Sequence, residues 1–225
     1  MGGLRVQAEG METVDLKRLW RHLYAPRPGR FELVDVPELP FLAIDGRIEP
    51  GGSPGTSEGF AANTAALYGL AYTCKFGLKK RADAPVDYPV MPLEGLWWVE
   101  DGRFDLAQPD NWHYTLMILL PEVVSEDDVT TALAALRAKR GNKPEFAGLR
   151  RELLTEGRSA QVMHIGPYDT EPETMEGLPE FLAADGLVDL VDIAGGKHHE
   201  IYLSDPGRTD PSKLKTILRH PVGPT

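Results

Sequence analysis

Glu200 carries the most telling chemistry in the chain. It lies in His198-His-Glu-Ile-Tyr-Leu203, a run whose alternation sets His198, Glu200 and Tyr202 on one strand face and His199 on the other. If the shared face meets an apolar interior, Glu200 is a buried carboxylate, costly unless it is paired or put to use. Two further runs supply aromatic walls. Trp112, Tyr114, Leu116 and Ile118 share one face, and Leu96, Trp98 and Glu100 share another with Trp97 opposite. Three of the four tryptophans therefore fall in two strands expected to be neighbours. Either they fill a core, or they wall an aromatic pocket around one carboxylate, suited to a flat, apolar or cationic ligand.

Other chemistries find less support. The run His198-His199-Glu200 suggests a metal, but successive strand side chains point apart, so these three do not converge on one ion. No metal and no cofactor is expected. Cys74 falls inside a helical apolar stripe and reads as core. The chain has no Gly-rich phosphate loop, no nucleophile elbow and no His-Glu-x-x-His pair.

The elements that must position these residues follow from composition and spacing. A length of 225 residues allows one large domain or two small lobes. With 24 basic and 34 acidic residues the net charge is −10, which argues against a nucleic-acid partner. The six Lys and Arg between Arg137 and Arg151 read as a solvated helix face. One cysteine excludes an internal disulfide, and no apolar run approaches the ~20 residues of a membrane span. With no apolar core in residues 1–30 to mark a signal peptide, a cytoplasmic protein without a membrane partner is expected, monomer or dimer.

Residues 1–30 form a lead-in helix, with Leu16, Leu19, Trp20 and Leu23 at helical spacing. Short strands follow at 31–36 and 41–45, split by Pro37 and Pro40. Ser57 caps a helix with the stripe Phe60, Thr64, Leu67, Ala71, Cys74 and Leu78. Strands are expected over 88–100 and 113–120. Ser125–Asp128 has capping-box spacing, and Pro144 starts a second linking helix with Phe146, Leu149 and Leu153 inward. A strand at 159–165, a helix opened by Thr170-Glu-Pro-Glu173, and strands at 199–204 and 213–220 complete the chain. Each half reads strand, helix, strand, strand. The expected fold is α+β, two βαββ units over 41–120 and 160–220 with pseudo-twofold symmetry, joined by helices over 125–157.

The stretch His198–Pro206 followed by Lys213-Leu-Lys-Thr-Ile-Leu-Arg-His-Pro221 resembles the end of GyrI-like small-molecule-binding proteins. So do Gln161-Val-Met-His-Ile-Gly-Pro-Tyr168, Leu67-Tyr-Gly-Leu-Ala-Tyr72, Pro92-Leu-Glu-Gly-Leu-Trp-Trp98 and Tyr114-Thr-Leu-Met-Ile118. These segments keep the family's order across residues 31–221. The resemblance implies a tandem of βαββ (SHS2-type) units with a ligand cleft between them. The family includes drug-sensing domains of transcription regulators, whose cleft holds aromatic side chains and a buried glutamate, and Glu200 stands at that position. No helix-turn-helix precedes the domain, so a regulator is not expected. Stand-alone members of this length resemble a subfamily that hydrolyses cyclopropane-bearing DNA-alkylating natural products in an aromatic cage. By that resemblance Trp97, Trp98, Trp112, Tyr114 and Tyr68 bind the ligand, with Tyr114 where the family often has tryptophan. Glu200, Tyr168 and Tyr202 are the catalytic candidates.

The residue types suit that chemistry. A cyclopropane fused to a dienone opens when water attacks its CH2 and charge moves to the carbonyl oxygen. Indole faces would stack on the flat substrate and exclude other water. A carboxylate could deprotonate the attacking water, or act as the acid if protonated, help worth roughly 10²–10⁴-fold. A tyrosine hydroxyl, from Tyr168 or Tyr202, could stabilise the developing phenolate. Sequestration without turnover is the alternative function, and inhibition of a protein partner such as gyrase a third.

Overall fold

A computed structural model describes residues 6–8, 11–100, 103–109, 111–193 and 195–225. Two short strands, β1 (Val6–Ala8) and β2 (Met11–Thr13), precede α1 (Leu16–Leu19) and α2 (Arg21–Tyr24). The lead-in pattern thus forms two single turns, with Leu16 and Leu23 buried. β3 (Glu32–Arg47) is one continuous strand rather than two. Pro37 and Pro40 both precede residue 41, where β3 has a ladder neighbour on one edge only, so their missing N–H groups break few bonds.

Ser57 caps α3 (Glu58–Lys79) by accepting the Phe60 N–H at 3.0 Å. Its Leu67, Ala71, Cys74 and Leu78 are buried, and burial pushes the Cys74 thiol up to about 12, which fits a core residue and not a nucleophile. Then come β4 (Val86–Asp87), β5 (Leu93–Trp98) and β6 (His113–Leu119). Pro89 and Pro92 delay β5 until residue 93, later than its apolar run suggests. β1, β2 and β4 form a small separate sheet. Ser125 and Asp128 make a reciprocal capping box on α4 (Glu126–Arg140), which Gly141 ends at φ 80°.

The second linking helix is not formed. Pro144–Ala147 make a single 3₁₀ turn, and β7 (Arg150–Ile165) begins three residues later. Its first half, rich in Arg, Glu and Leu, has helix-forming residues, but the free edge of β3 recruits it, with Leu42 opposite Arg151 and Glu38 opposite Thr155. Phe146 and Leu149 are buried, whereas Leu153 is half exposed. α5 (Glu171–Met175), α6 (Leu178–Ala183), β8 (Leu187–Asp189), β9 (His198–Tyr202) and β10 (Lys215–Pro224) complete the chain.

Strands β7-β3-β6-β5-β9-β10 form an antiparallel sheet that closes into a ring, because β10 pairs back onto β7 from Lys215↔Ile165 to Pro221↔Ser159. Glu156 on β7 reaches His199 on β9 with β10 lying between their strands, so the face bearing His199 is the lumen. α2 plugs one end of it: Gln161 and Arg219 donate to the carbonyls of His22 and Leu23. α3 covers the opposite, outer face through Phe60 and Asn63. The fold is therefore mixed α/β around a barrel-like sheet. No helix among the described residues is long and apolar enough to cross a membrane.

Candidate functional site

The outer face of the barrel gathers most of the aromatic candidates. Register places Trp97 opposite His198, Gly95 opposite Glu200 and Leu93 opposite Tyr202. Gly95 is required: a Cβ there would stand 2.8 Å from Trp97 Nε1, so its absence lets the indole fold back across the strand. Trp97 is fully buried and donates Nε1–H to the Tyr202 hydroxyl at 3.1 Å. Its ring lies 5.3 Å from Trp112, 5.5 Å from Tyr114 and 5.7 Å from Phe60. The Tyr114 ring covers Gly46, and its hydroxyl accepts from Asn63 at 3.1 Å. Phe104, from the loop before β6, lies 4.8 Å from Trp112 and stacks on His198 at 5.2 Å.

Glu200 sits at the edge of this cluster with little exposure. Its Oε1 stands 3.1 Å from His198 Nε2, and the Tyr202 hydroxyl also bonds to its carboxylate. Tyr168 packs edge-on against Tyr202 at 5.9 Å and is partly open to solvent. Burial, then the Glu200 carboxylate, push the Tyr202 hydroxyl well above its usual range. Burial and nearby carboxylates, Glu171 first, push Tyr168 up to about 12. Both therefore remain hydrogen-bond donors at neutral pH.

Sequence reasoning missed Glu171. The spacing Thr170-Glu-Pro-Glu173 predicts a capped helix start and gives Glu171 no role, and Thr170 gives its hydroxyl to the Pro167 carbonyl instead of capping. Glu171 is only 2% exposed and faces Glu200. Burial and the Glu200 charge push it up to about 10, so it carries a proton at neutral pH. Trp112 Nε1 is buried without a hydrogen-bond partner, while the Glu171 carboxyl and the Thr216 hydroxyl bond to each other. An arriving polar group would satisfy the Trp112 indole N–H. A carboxylic acid aimed at a carboxylate, within a group of hydroxyls, is an arrangement for acid–base work.

Glu171, His198 and Glu200 form the one trio among the described residues with donor atoms close enough to hold a metal ion, within 4.8 Å of one another. His199 is not part of it, since strand alternation sends its ring into the lumen. Both nitrogens of His198 are already engaged, by His220 and Glu200. Burial lowers the affinity of His198 for a second proton, so its ring is neutral.

Two candidates fall outside the cluster. Trp98 points to the opposite face from Trp97, as alternation requires, with Lys197 Nζ 3.5 Å from its ring centroid. Tyr68, on α3, reaches the Leu93 backbone and stands beside Tyr72 at 6.4 Å rather than against Trp97. A surface hollow of about 360 Å³ lies elsewhere, lined by His22 and residues 32–35, and contains none of these groups.

Residues 30–222 match the GyrI-like small molecule binding domain. No curated protein matches the chain. Among solved structures, an uncharacterized conserved protein from Listeria innocua is 36% identical, with a TM-score of 0.83 over 93% of this chain and 100% of its own. A hydrolase from the same organism is also 36% identical, with a TM-score of 0.80 over 94% of this chain and 100% of its own. The C-terminal domain of EcmrR, 10% identical with a TM-score of 0.52, covers 87% of this chain and 98% of its own, and shares the fold.

Proposed function

Because the chain belongs to the GyrI-like family of small-molecule-binding domains, we propose that it binds flat, apolar xenobiotics on the outer barrel face and hydrolyses the cyclopropane ring of cyclopropanoid DNA-alkylating toxins. The observation that carries this reading is the juxtaposition of Glu200 with a second, protonated carboxyl group beside an aromatic cluster. The relatives from Listeria innocua described as hydrolases favour the catalytic half of it.

In this reading the substrate stacks against Trp97, Trp112 and Phe104 and excludes bulk water. Glu200 takes a proton from the one water aimed at the ring CH2. As that carbon–carbon bond opens, charge develops on the dienone oxygen, and the hydroxyl of Tyr168 or Tyr202 donates to it. The single Tyr202 proton goes to the Glu200 carboxylate, so Tyr202 can donate to the dienone oxygen only once Glu200 has taken the water proton and no longer accepts from it. Because ring opening releases strain and creates an aromatic product, this modest machinery suffices.

Sequestration without turnover is the second reading. It is favoured by the closed state of the cluster, in which Trp97 and Tyr202 satisfy each other. The two separate by mass: incubation with a cyclopropanoid should add one water, and Glu200→Gln should lower the rate at least about tenfold while an inert analogue still binds. Binding without a mass change would leave sequestration as the function. Unchanged turnover in Glu200→Gln would remove the glutamate from the mechanism.

The same reading treats residues 31–221 as one domain built from two related units. Exchanging β3, β5 and β6 for β7, β9 and β10 maps the strand ring onto itself, which supports a tandem with pseudo-twofold symmetry.

A further inference from the structure

Four side chains form an unbroken hydrogen-bonded row from the surface to the buried carboxylate. Asp189 Oδ2 stands 2.7 Å from His220 Nδ1, His220 Nε2 stands 2.6 Å from His198 Nδ1, and His198 Nε2 stands 3.1 Å from Glu200 Oε1. Strand pairing builds it: β8 lies beside the far end of β10, and β10 beside β9. Side-chain exposure falls from 36% at Asp189 to 9% at His220 and 0% at His198.

Three arrangements of the protons fit this row. Asp189 Oδ1 accepts from the Val191 N–H, and while Asp189 is ionised its Oδ2 accepts from His220 Nδ1–H. One arrangement then has His220 Nε2 accepting from His198 Nδ1–H, which leaves His198 Nε2 bare and Glu200 protonated. A second has the Glu200 proton on His198 Nε2 and the His198 proton on His220 Nε2, making His220 an imidazolium. A third passes the His220 Nδ1 proton to Asp189. All three contain the same number of protons and satisfy every contact in the row.

We propose that His198, His220 and Asp189 form a proton relay that connects Glu200 to solvent. The proposal rests on the hydrolysis reading for its purpose. When a flat substrate covers the aromatic face, a proton taken up by Glu200 has no open exit on that side. The step balances. A water oxygen bonds to the ring CH2 as the strained carbon–carbon bond breaks, and that electron pair ends on the dienone oxygen, which takes one proton from solvent. The proton lost by the water passes from Glu200 to His198 Nε2, from His198 Nδ1 to His220 Nε2, and from His220 Nδ1 to Asp189, which releases it. The other titratable groups facing the row are Glu171 from α5, Tyr202 beside Glu200 and Tyr168 against Tyr202, while His199 acts on it only through the sheet from the lumen side.

The relay is tested first without any substrate, by ¹⁵N spectra of the histidine rings. Asp189→Asn presents an amide to His220, so His220 should switch to the Nε2–H tautomer. His198, which does not touch residue 189, should then hold its proton on Nε2. A His198 that keeps hydrogen on Nδ1 in Asp189→Asn would overturn the relay. The second arm is turnover: His220→Ala should lower kcat about tenfold with KM unchanged, and added imidazole should restore it. A loss that imidazole does not restore would assign His220 a packing role and overturn the relay, even with hydrolysis intact. If the wild type hydrolyses no cyclopropanoid, the hydrolysis reading fails, and the His198 tautomer alone decides whether the row conducts.

Discussion

β9 sends one histidine into the barrel and its neighbour out of it, and the two meet opposite surroundings. Inside, His199 sits between Glu156 at 3.1 Å and Glu94 at 3.0 Å. Tyr24 donates to Glu94 at 2.6 Å, while Arg219 donates to Glu156 at 3.2 Å and to Gln161 at 3.0 Å. Burial would lower the His199 pKa, but the Glu156 charge and hydrogen bonds to both carboxylates outweigh it and hold it at about 9. Burial would likewise raise Glu156, yet His199 and Arg219 bring it to about 2. Two cations face two carboxylates, and the network is closed. Outside, His198 is neutral, two carboxyl groups share one site, and the buried Trp112 indole N–H lacks a partner. The same strand thus carries a satisfied network that holds the barrel together and an unsatisfied one that has work left to do.

Breaking the inner network should have the largest effect. His199→Ala leaves Glu94 and Glu156 buried with one cation fewer, a loss of roughly 3–5 kcal/mol of stability in urea unfolding. The pH dependence has a definite sign. Glu156, held low, contributes stability above its usual pKa of 4.5, lost as pH falls through about 2. His199, held high, contributes fully below its usual 6.5 and loses it as pH rises through about 9. Stability from this pair should therefore be greatest between 4.5 and 6.5. A profile in which His199→Ala and wild type run parallel from pH 5 to 10 would show that the pair is not ionised as described.

The outer network should respond in the opposite direction. Glu171 ionises from about 4.5 in the unfolded chain but only near 10 in the fold, so its carboxyl destabilises the protein increasingly as pH rises between those values. Glu171→Gln should match wild type at pH 4 and exceed it at pH 8 by on the order of 2–4 kcal/mol. A variant less stable than wild type at pH 8 would mean that Glu171 is paired after all, and the contrast between the two faces would fail.

Much of this was legible in the residues, for identifiable reasons. Strand alternation alone put His198, Glu200 and Tyr202 together and Trp98 apart from Trp97, because the period of two is a property of the backbone. Helix starts at Ser57 and Ser125 were legible because their caps are local. What stayed hidden depends on contacts distant in sequence. Arg150–Gly157 joins a sheet because β3 offers it an edge, and no local pattern reports that. Glu171 passes unnoticed because its burial by α5 docking leaves no mark on the Thr-Glu-Pro-Glu spacing. Glu94 falls in an expected strand and Glu156 in an expected linking helix, and only barrel closure brings both to His199.

The smallest expected effect separates two tyrosines within the outer site. Tyr202 is partly buried between Trp97 and Glu200, whereas Tyr168 is 39% exposed and touches Tyr202 edge-on. A hydroxyl that meets solvent exchanges a bond to the ligand for one to water, so its net worth is about 0.5–1.5 kcal/mol. Tyr168→Phe should therefore lower turnover by roughly 2- to 12-fold with unfolding unchanged, whereas Tyr202→Phe should lower both turnover and stability, since it strands the Trp97 indole N–H. A Tyr168→Phe loss far beyond that range would show that Tyr168 is sealed from water in the complex and is the principal donor to the developing phenolate. An unchanged rate would leave Tyr202, already hydrogen-bonded to Glu200, as the donor.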